Sequence, residues 1–246
     1  MNIELFPLFL IILVVLTASY IQSVTGFGFG IFAMIFLPHI LTYTEANVLS
    51  SILSAFTSIT VVAVMLRKTH WKNIFFPLIG FSLSSYYAVN FIKAQDNEIL
   101  TLLLGIALFS LSIYLFFFSK KIIIKPTWYA GLIAGVLSGV LGGMFSISGP
   151  PVVIYFLQSE EDSDHYLATL SMYFVLSGIV SIGMKIAAGF VTGNVCAGLF
   201  AGTFSMILGS FIGRLTRSKA SPMTIRRAVY AVMALSGVLN IGSVLF

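Results

Sequence analysis

The chain has 246 residues, of which 59% are hydrophobic and only 9% charged, with a formal net charge of +5. That excludes an ordinary soluble domain, where about 25% of residues are charged, because 13 basic and 8 acidic side chains cannot coat a core of this size. The basic residues fall between apolar runs, so they speak for orientation in a bilayer rather than for nucleic acid.

Apolar segments follow one another in chain order. The first, residues 5–24, has no basic flank and no small-x-small cleavage site, so it reads as a membrane segment and not as a signal peptide. A short segment at 29–40 follows, then full-length runs at 46–66, 74–91 and 99–118. A second series repeats the order: 128–145, a short 150–157, then 166–190, 195–213 and 228–245. About 20 helical residues cross about 30 Å of hydrocarbon, so the long runs predict an all-α polytopic membrane protein. Loops rich in Arg67, Lys68 and Lys72, in Lys120, Lys121 and Lys125, and in Arg214, Arg217, Lys219, Arg226 and Arg227 mark the expected cytoplasmic side. The acidic loop Glu160, Glu161, Asp162 and Asp164 falls on that side too, and acidic residues weigh little in orientation. With five segments in each half, repeat one (1–120) and repeat two (121–246) enter the membrane from opposite faces. The reading is two inverted repeats.

Each short segment opens on a break. In half one it is Thr25-Gly26-Phe27-Gly28-Phe29-Gly30; in half two, Gly142-Gly143-Met144-Phe145-Ser146-Ile147-Ser148-Gly149-Pro150-Pro151. At 1.5 Å per residue the segments reach roughly 18 and 12 Å, so their N-termini end inside the bilayer. Free backbone groups are tolerated at that depth only where protein or a wet cavity satisfies them. Prolines suit a first helical turn, and Thr25 and Ser148 are candidate caps. Two helix N-termini aimed at one place attract an anion through free N–H groups and roughly half a positive charge each. The expected site is therefore Gln22, Ser23, Thr25, Gly26, Phe27, Gly28 and Gly30 with Gly143, Ser146, Ser148, Gly149 and Pro150. Glycines in a membrane helix also serve plain close packing; two matched clusters, each opening a short segment, favour a substrate site.

At these stretches the chain resembles the TauE/SafE family of sulfite exporters. The resemblance rests on Gly26-Phe27-Gly28-Phe29-Gly30 running to Pro38, and on Gly142-Gly143 through Gly149-Pro150-Pro151. It extends over nearly the whole chain in span order, and Ser146 and Ser148 stand where many relatives carry glycine. It implies a secondary transporter of small sulfur-containing anions such as sulfite or organosulfonates, usually outward, at the cell (inner) membrane; the inverted repeats predict alternating access about a fixed site.

The other polar residues carry less. Lys185 sits within a turn or two of a span end, where snorkelling to water is the default and anion attraction at the outer mouth the sharper reading. Gln22 can donate to an anion or pack against a neighbouring helix. Asn47, Asn90, Asn194 and Asn240 read as caps or interhelical bonds, and His39, His70 and His165 as solvated interface residues. Cys196 reads as buried apolar filler. No carboxylate falls in mid-span, so no intramembrane proton relay is expected, nor any metal or cofactor. An intramembrane enzyme is disfavoured because Ser146 and Ser148 have no in-span His, Asp or Glu partner. A channel-like anion pore and a scaffold subunit are the alternatives. The expected partners are a small anion and the lipid bilayer, with no nucleic acid; a homodimer is compatible with the sequence.

Overall fold

The computed structural model describes residues 5–117, 125–160, 162–217 and 221–245. Lys120, Lys121, Glu161 and Lys219 lie outside these. Among the described residues ten α-helices follow in order: α1 (Leu5–Thr25), α2 (Phe29–Phe36), α3 (Tyr43–Met65), α4 (Trp71–Lys93), α5 (Asn97–Phe117), α6 (Trp128–Phe145), α7 (Gly149–Ser159), α8 (Ser163–Ala187), α9 (Gly193–Thr216) and α10 (Pro222–Leu245). Among the described residues eight helices are long and apolar enough to cross a membrane. The two that are not, α2 and α7, are the two short segments that the sequence marks.

Helix starts follow local chemistry. Glu45 accepts the Thr42 N–H at the start of α3, and Thr127 and Thr192 accept from Ala130 and Val195 at the starts of α6 and α9. Asp162 accepts from the Asp164 and His165 amides to open α8. Helix α10 begins at Pro222, well before the expected 228, because a run judged by apolarity stops at Arg226 and Arg227 whereas helical hydrogen bonding does not. Cys196 corrects its expectation: it is exposed, and Val195 takes the buried position one step earlier on α9.

The helices pack in reciprocal pairs. Helix α4 lies on α6 and α1 on α9, α3 faces α8 and α5 faces α10, while α3 also touches α9 and α4 touches α8. Exchanging α1–α5 for α6–α10, in order, interchanges α4–α6 with α1–α9 and α3–α9 with α4–α8, and returns α3–α8 and α5–α10 to themselves. The α4–α6 pair is parallel, Pro77 meeting Gly135 and Ala88 meeting Gly143, and so is α1–α9, Leu16 meeting Gly209 and Tyr20 meeting Gly213. Helix α3 runs against α8, from Ser51 beside Lys185 to Lys68 beside Asp164. These directions gather Arg67, Lys68, Lys72, Arg214 and Arg226 at one end of the bundle, here called the basic end. Outward faces carry Phe200, Phe204, Leu235 and Tyr87, all strongly exposed, as lipid contact requires.

Two histidines at the basic end are partly solvated, as expected, and each also meets a carboxylate. His70 Nδ1 lies 2.6 Å from Glu160 Oε2 and His165 Nδ1 2.6 Å from Asp162 Oδ2, and the two rings stack with centroids 4.6 Å apart. Asn73 also donates to Glu160, so the α3–α4 turn is tied to the end of α7 and the start of α8.

Candidate functional site

Both breaks fall inside the bundle and meet. Helix α1 ends at Thr25, Gly26 and Gly28 take φ of 86° and 106°, and α2 sets off from Phe29 toward the end opposite the basic one. Helix α6 ends at Phe145, Ser146 turns through φ 57°, and α7 sets off from Gly149 toward the basic end. A Cβ on Gly30 would strike the Ser146 carbonyl, and Gly149 lies against the Phe27 ring. The backbones therefore touch at the two N-termini, and only glycine at position 30 permits it.

Break two is held from three sides. Tyr43 Oη and Asn47 Nδ2 both donate to the Met144 carbonyl, at 2.6 and 2.7 Å. Ser138 donates to the Ser148 carbonyl at 2.6 Å and accepts from Tyr173 at 2.8 Å. Ser146 donates to the Asn47 carbonyl at 2.7 Å, and its oxygen lies 2.7 Å from Ser51 Oγ. These bonds satisfy polar groups at a depth where lipid offers none.

Two small polar cavities flank the junction. One, of about 20 Å³, is lined by Gln22, Phe27, Gly28, Gly30, Ser148 and Gly149, among others. The second, of about 30 Å³, is walled by Ser51, Ser54, Ser146, Ser148, Ser177 and Ser181 with Phe81 and Phe174. Each has room for about one water molecule. An anion of four or more heavy atoms enters only if the breaks or their neighbours shift.

The expected residues separate into two groups. Gln22, Phe27, Gly28, Gly30, Ser146, Ser148 and Gly149 converge on these cavities. Ser23 faces Gly213 of α9, Gly143 packs on Ser85 and Ala88 of α4, Gly26 faces Leu167 and Leu170, and Pro150 turns to larger cavities on the opposite side of α7. Nor does Thr25 cap α2: its hydroxyl is engaged by the Ile21 and Phe27 carbonyls, and the N-cap position belongs to Gly28. Ser148 holds the N-cap position of α7 without a side-chain cap bond, leaving its hydroxyl on the cavity. The Gln22 amide bonds to Ser54 and Ser58 of α3, so packing and site meet in one residue.

Lys185 overturns its default reading. Its side chain is fully buried, and Nζ donates to Ser51 Oγ at 2.6 Å, to Ser146 Oγ at 3.1 Å and to the Gly142 carbonyl at 3.4 Å. Snorkelling fails because α8 ends in a turn that returns over Lys185, Phe190 N–H bonding to its carbonyl, while α3 and break two enclose the amine. None of the ion pairs among the described residues includes it. Ser51 and Ser54 of α3 and Ser177 and Ser181 of α8 line the same cavity, and sequence reasoning missed them. A signal existed: Ser177, Ser181 and Lys185 recur at spacing four on an otherwise apolar helix, which is one face.

The profile described as sulfite exporter TauE/SafE matches residues 11–239. A protein of Cupriavidus necator named probable sulfite/organosulfonate exporter TauE is 23% identical over 227 residues, covering 87% of this chain and 86% of that one. No solved structure matches the chain. With the profile spanning both breaks and nearly every helix, the chain belongs to the sulfite exporter TauE/SafE family, a family of membrane transporters and not of enzymes.

Proposed function

We propose that this protein carries small sulfur-containing anions, sulfite or organosulfonates, outward across the cell membrane through the junction of its two breaks. The observation that carries the reading is Lys185: an amine buried in a membrane-spanning helix, bonded only to hydroxyls and a carbonyl, beside a cavity walled by serines. A charge at that depth is costly without a counter-ion, and a sulfite or sulfonate group supplies one along with oxygens for the surrounding hydroxyls. The name of the Cupriavidus necator relative agrees with this substrate class.

Breaks placed one per half, with reciprocal helix pairing around them, support two inverted repeats, 1–120 and 121–246, that rock about a fixed site. The closeness of the two cavities to the size of one water supports an occluded arrangement, with access alternating between the ends. Basic loops at one end support a cytoplasmic assignment for that end. The described spans hold no carboxylate away from their ends: Glu45 is in the first turn of α3, bonded to Thr192 and Asn194.

Efflux of labelled sulfite and sulfoacetate from proteoliposomes tests the proposal through Lys185→Met and Lys185→Arg. Loss of one charge-assisted hydrogen-bond set, at roughly 1.5–3 kcal/mol, predicts at least about a tenfold fall in efflux for the methionine variant. The arginine variant should recover part of it. Wild-type efflux from a folded Lys185→Met protein would remove Lys185 from the mechanism and this reading with it.

A further inference from the structure

A second cation stands at the other break. Arg226, in the first turns of α10, donates from Nη2 to the Thr25 carbonyl at 2.7 Å, and its guanidinium carbon lies 5.0 Å from the centre of the Phe27 ring. Its Nε is buried without a hydrogen-bond partner, and none of the ion pairs among the described residues includes it. The Tyr166 hydroxyl lies beside this guanidinium.

A cavity of about 530 Å³ at the basic end is lined by Arg226, Arg227, Gln158 and Tyr230 together with Phe27, Pro150 and other apolar side chains, and no acidic side chain among the described residues lines it. Phe27 is 4% exposed and forms the wall between this space and the small pocket at the junction. Arg226 thus holds neutral partners on the wall, a carbonyl and a ring face. Its fork matches two oxygens of an anion far better, because bonds between charged partners are about twice as strong as neutral ones.

We infer that this cavity is a second anion site, a vestibule station at which Arg226 takes up a sulfite or sulfonate group before the group reaches Lys185. The inference rests on the transport reading for its substrate class, but the two sites are separate and carry separate tests. Arrival of the anion draws Arg226 from the Thr25 carbonyl and the Phe27 face, which frees the wall between vestibule and junction. Solvent access to the vestibule also makes this attraction sensitive to ionic strength, with screening over about 10 Å at 0.1 M salt.

The experiment measures sulfoacetate and sulfite flux with the full-length protein in sided vesicles, presenting the anion at the basic end or at the opposite end. Arg226→Gln should raise KM at the basic end about tenfold, leave KM at the opposite end within twofold, and leave the maximal rate nearly unchanged. It should also remove the salt dependence of the basic-end KM. Arg226→Lys, which keeps the charge and loses the fork, should fall between and covers the case in which the glutamine variant fails to fold. An unchanged KM at the basic end in either folded variant, or an equal rise at both ends, overturns the vestibule site while leaving the central one standing. Wild-type vesicles that carry neither anion overturn the transport reading and this inference together.

Discussion

Break one and break two reverse the chain by different chemistry. Break one uses glycine, with positive φ at Gly26 and Gly28, and leaves the first N–H groups of α2, those of Phe29, Gly30 and Ile31, without helical partners. Break two uses a serine at φ 57° and then Pro150 and Pro151, which have no N–H to offer. Beside these prolines stands the Lys185 amine, which donates to the Ser146 hydroxyl and the Gly142 carbonyl at the same break. The positive end of a short helix can be presented by backbone alone or completed by a borrowed amine. The first keeps the site polar without fixing a charge, and the second localises one.

The contrast is tested hardest where the two breaks touch. Gly30→Ala puts a methyl group into the Ser146 backbone, which cannot step aside, whereas Gly149→Ala meets only the Phe27 side chain at 3.0–3.4 Å. Overpacking of about 1–3 kcal/mol predicts loss of more than about tenfold in efflux for Gly30→Ala, with a lowered Tm. Gly149→Ala should lose only a few-fold. Equal efflux in the two variants would dissolve the distinction between backbone and side-chain contact.

A middle-sized effect separates strain from chemistry at break two. A non-glycine residue at positive φ costs of order 1–3 kcal/mol, so Ser146→Gly relieves the backbone while deleting the hydroxyl shared by Lys185, Ser51 and Asn47. Tm should hold within a degree or two, and anion affinity should fall about tenfold, read by equilibrium binding of sulfite. A variant that binds as wild type would return Ser146 to a structural role.

The smallest effect lies away from both breaks, at the start of α8. The His165 amide and imidazole and the Asp164 amide hold the Asp162 carboxyl down at about 2. A depressed carboxyl stabilises the fold above its ordinary range and loses that contribution as pH falls through the folded value. Asp162→Ala should therefore lower Tm slightly at pH 5–7, with the gap closing as pH falls from about 4 toward about 2. A gap that persists at low pH would mean that the loss is not electrostatic.

Much of this was legible in the residues. Apolar runs set the long helices because about 30 Å of lipid demands them, and Gly28, Gly30, Gly149 and Pro150 marked both short helices. The Lys185 environment was not legible, since its distance from a span end said water while α3 and break two sit over the amine. Arg226 was read only as a loop charge, although helix α10 carries it inward to Thr25.

Composition and the placement of glycine and proline by themselves determined that this chain crosses a bilayer, that it breaks twice, and where. Those features act through local backbone preference and transfer from water, which neighbours in sequence decide. Which side chains surround the breaks was settled only by the tertiary structure. Lys185 and Ser146 are 39 residues apart and Arg226 and Thr25 are 201 apart, and only the packing of α8 and α10 against the broken helices brings each cation to its carbonyl and hydroxyl.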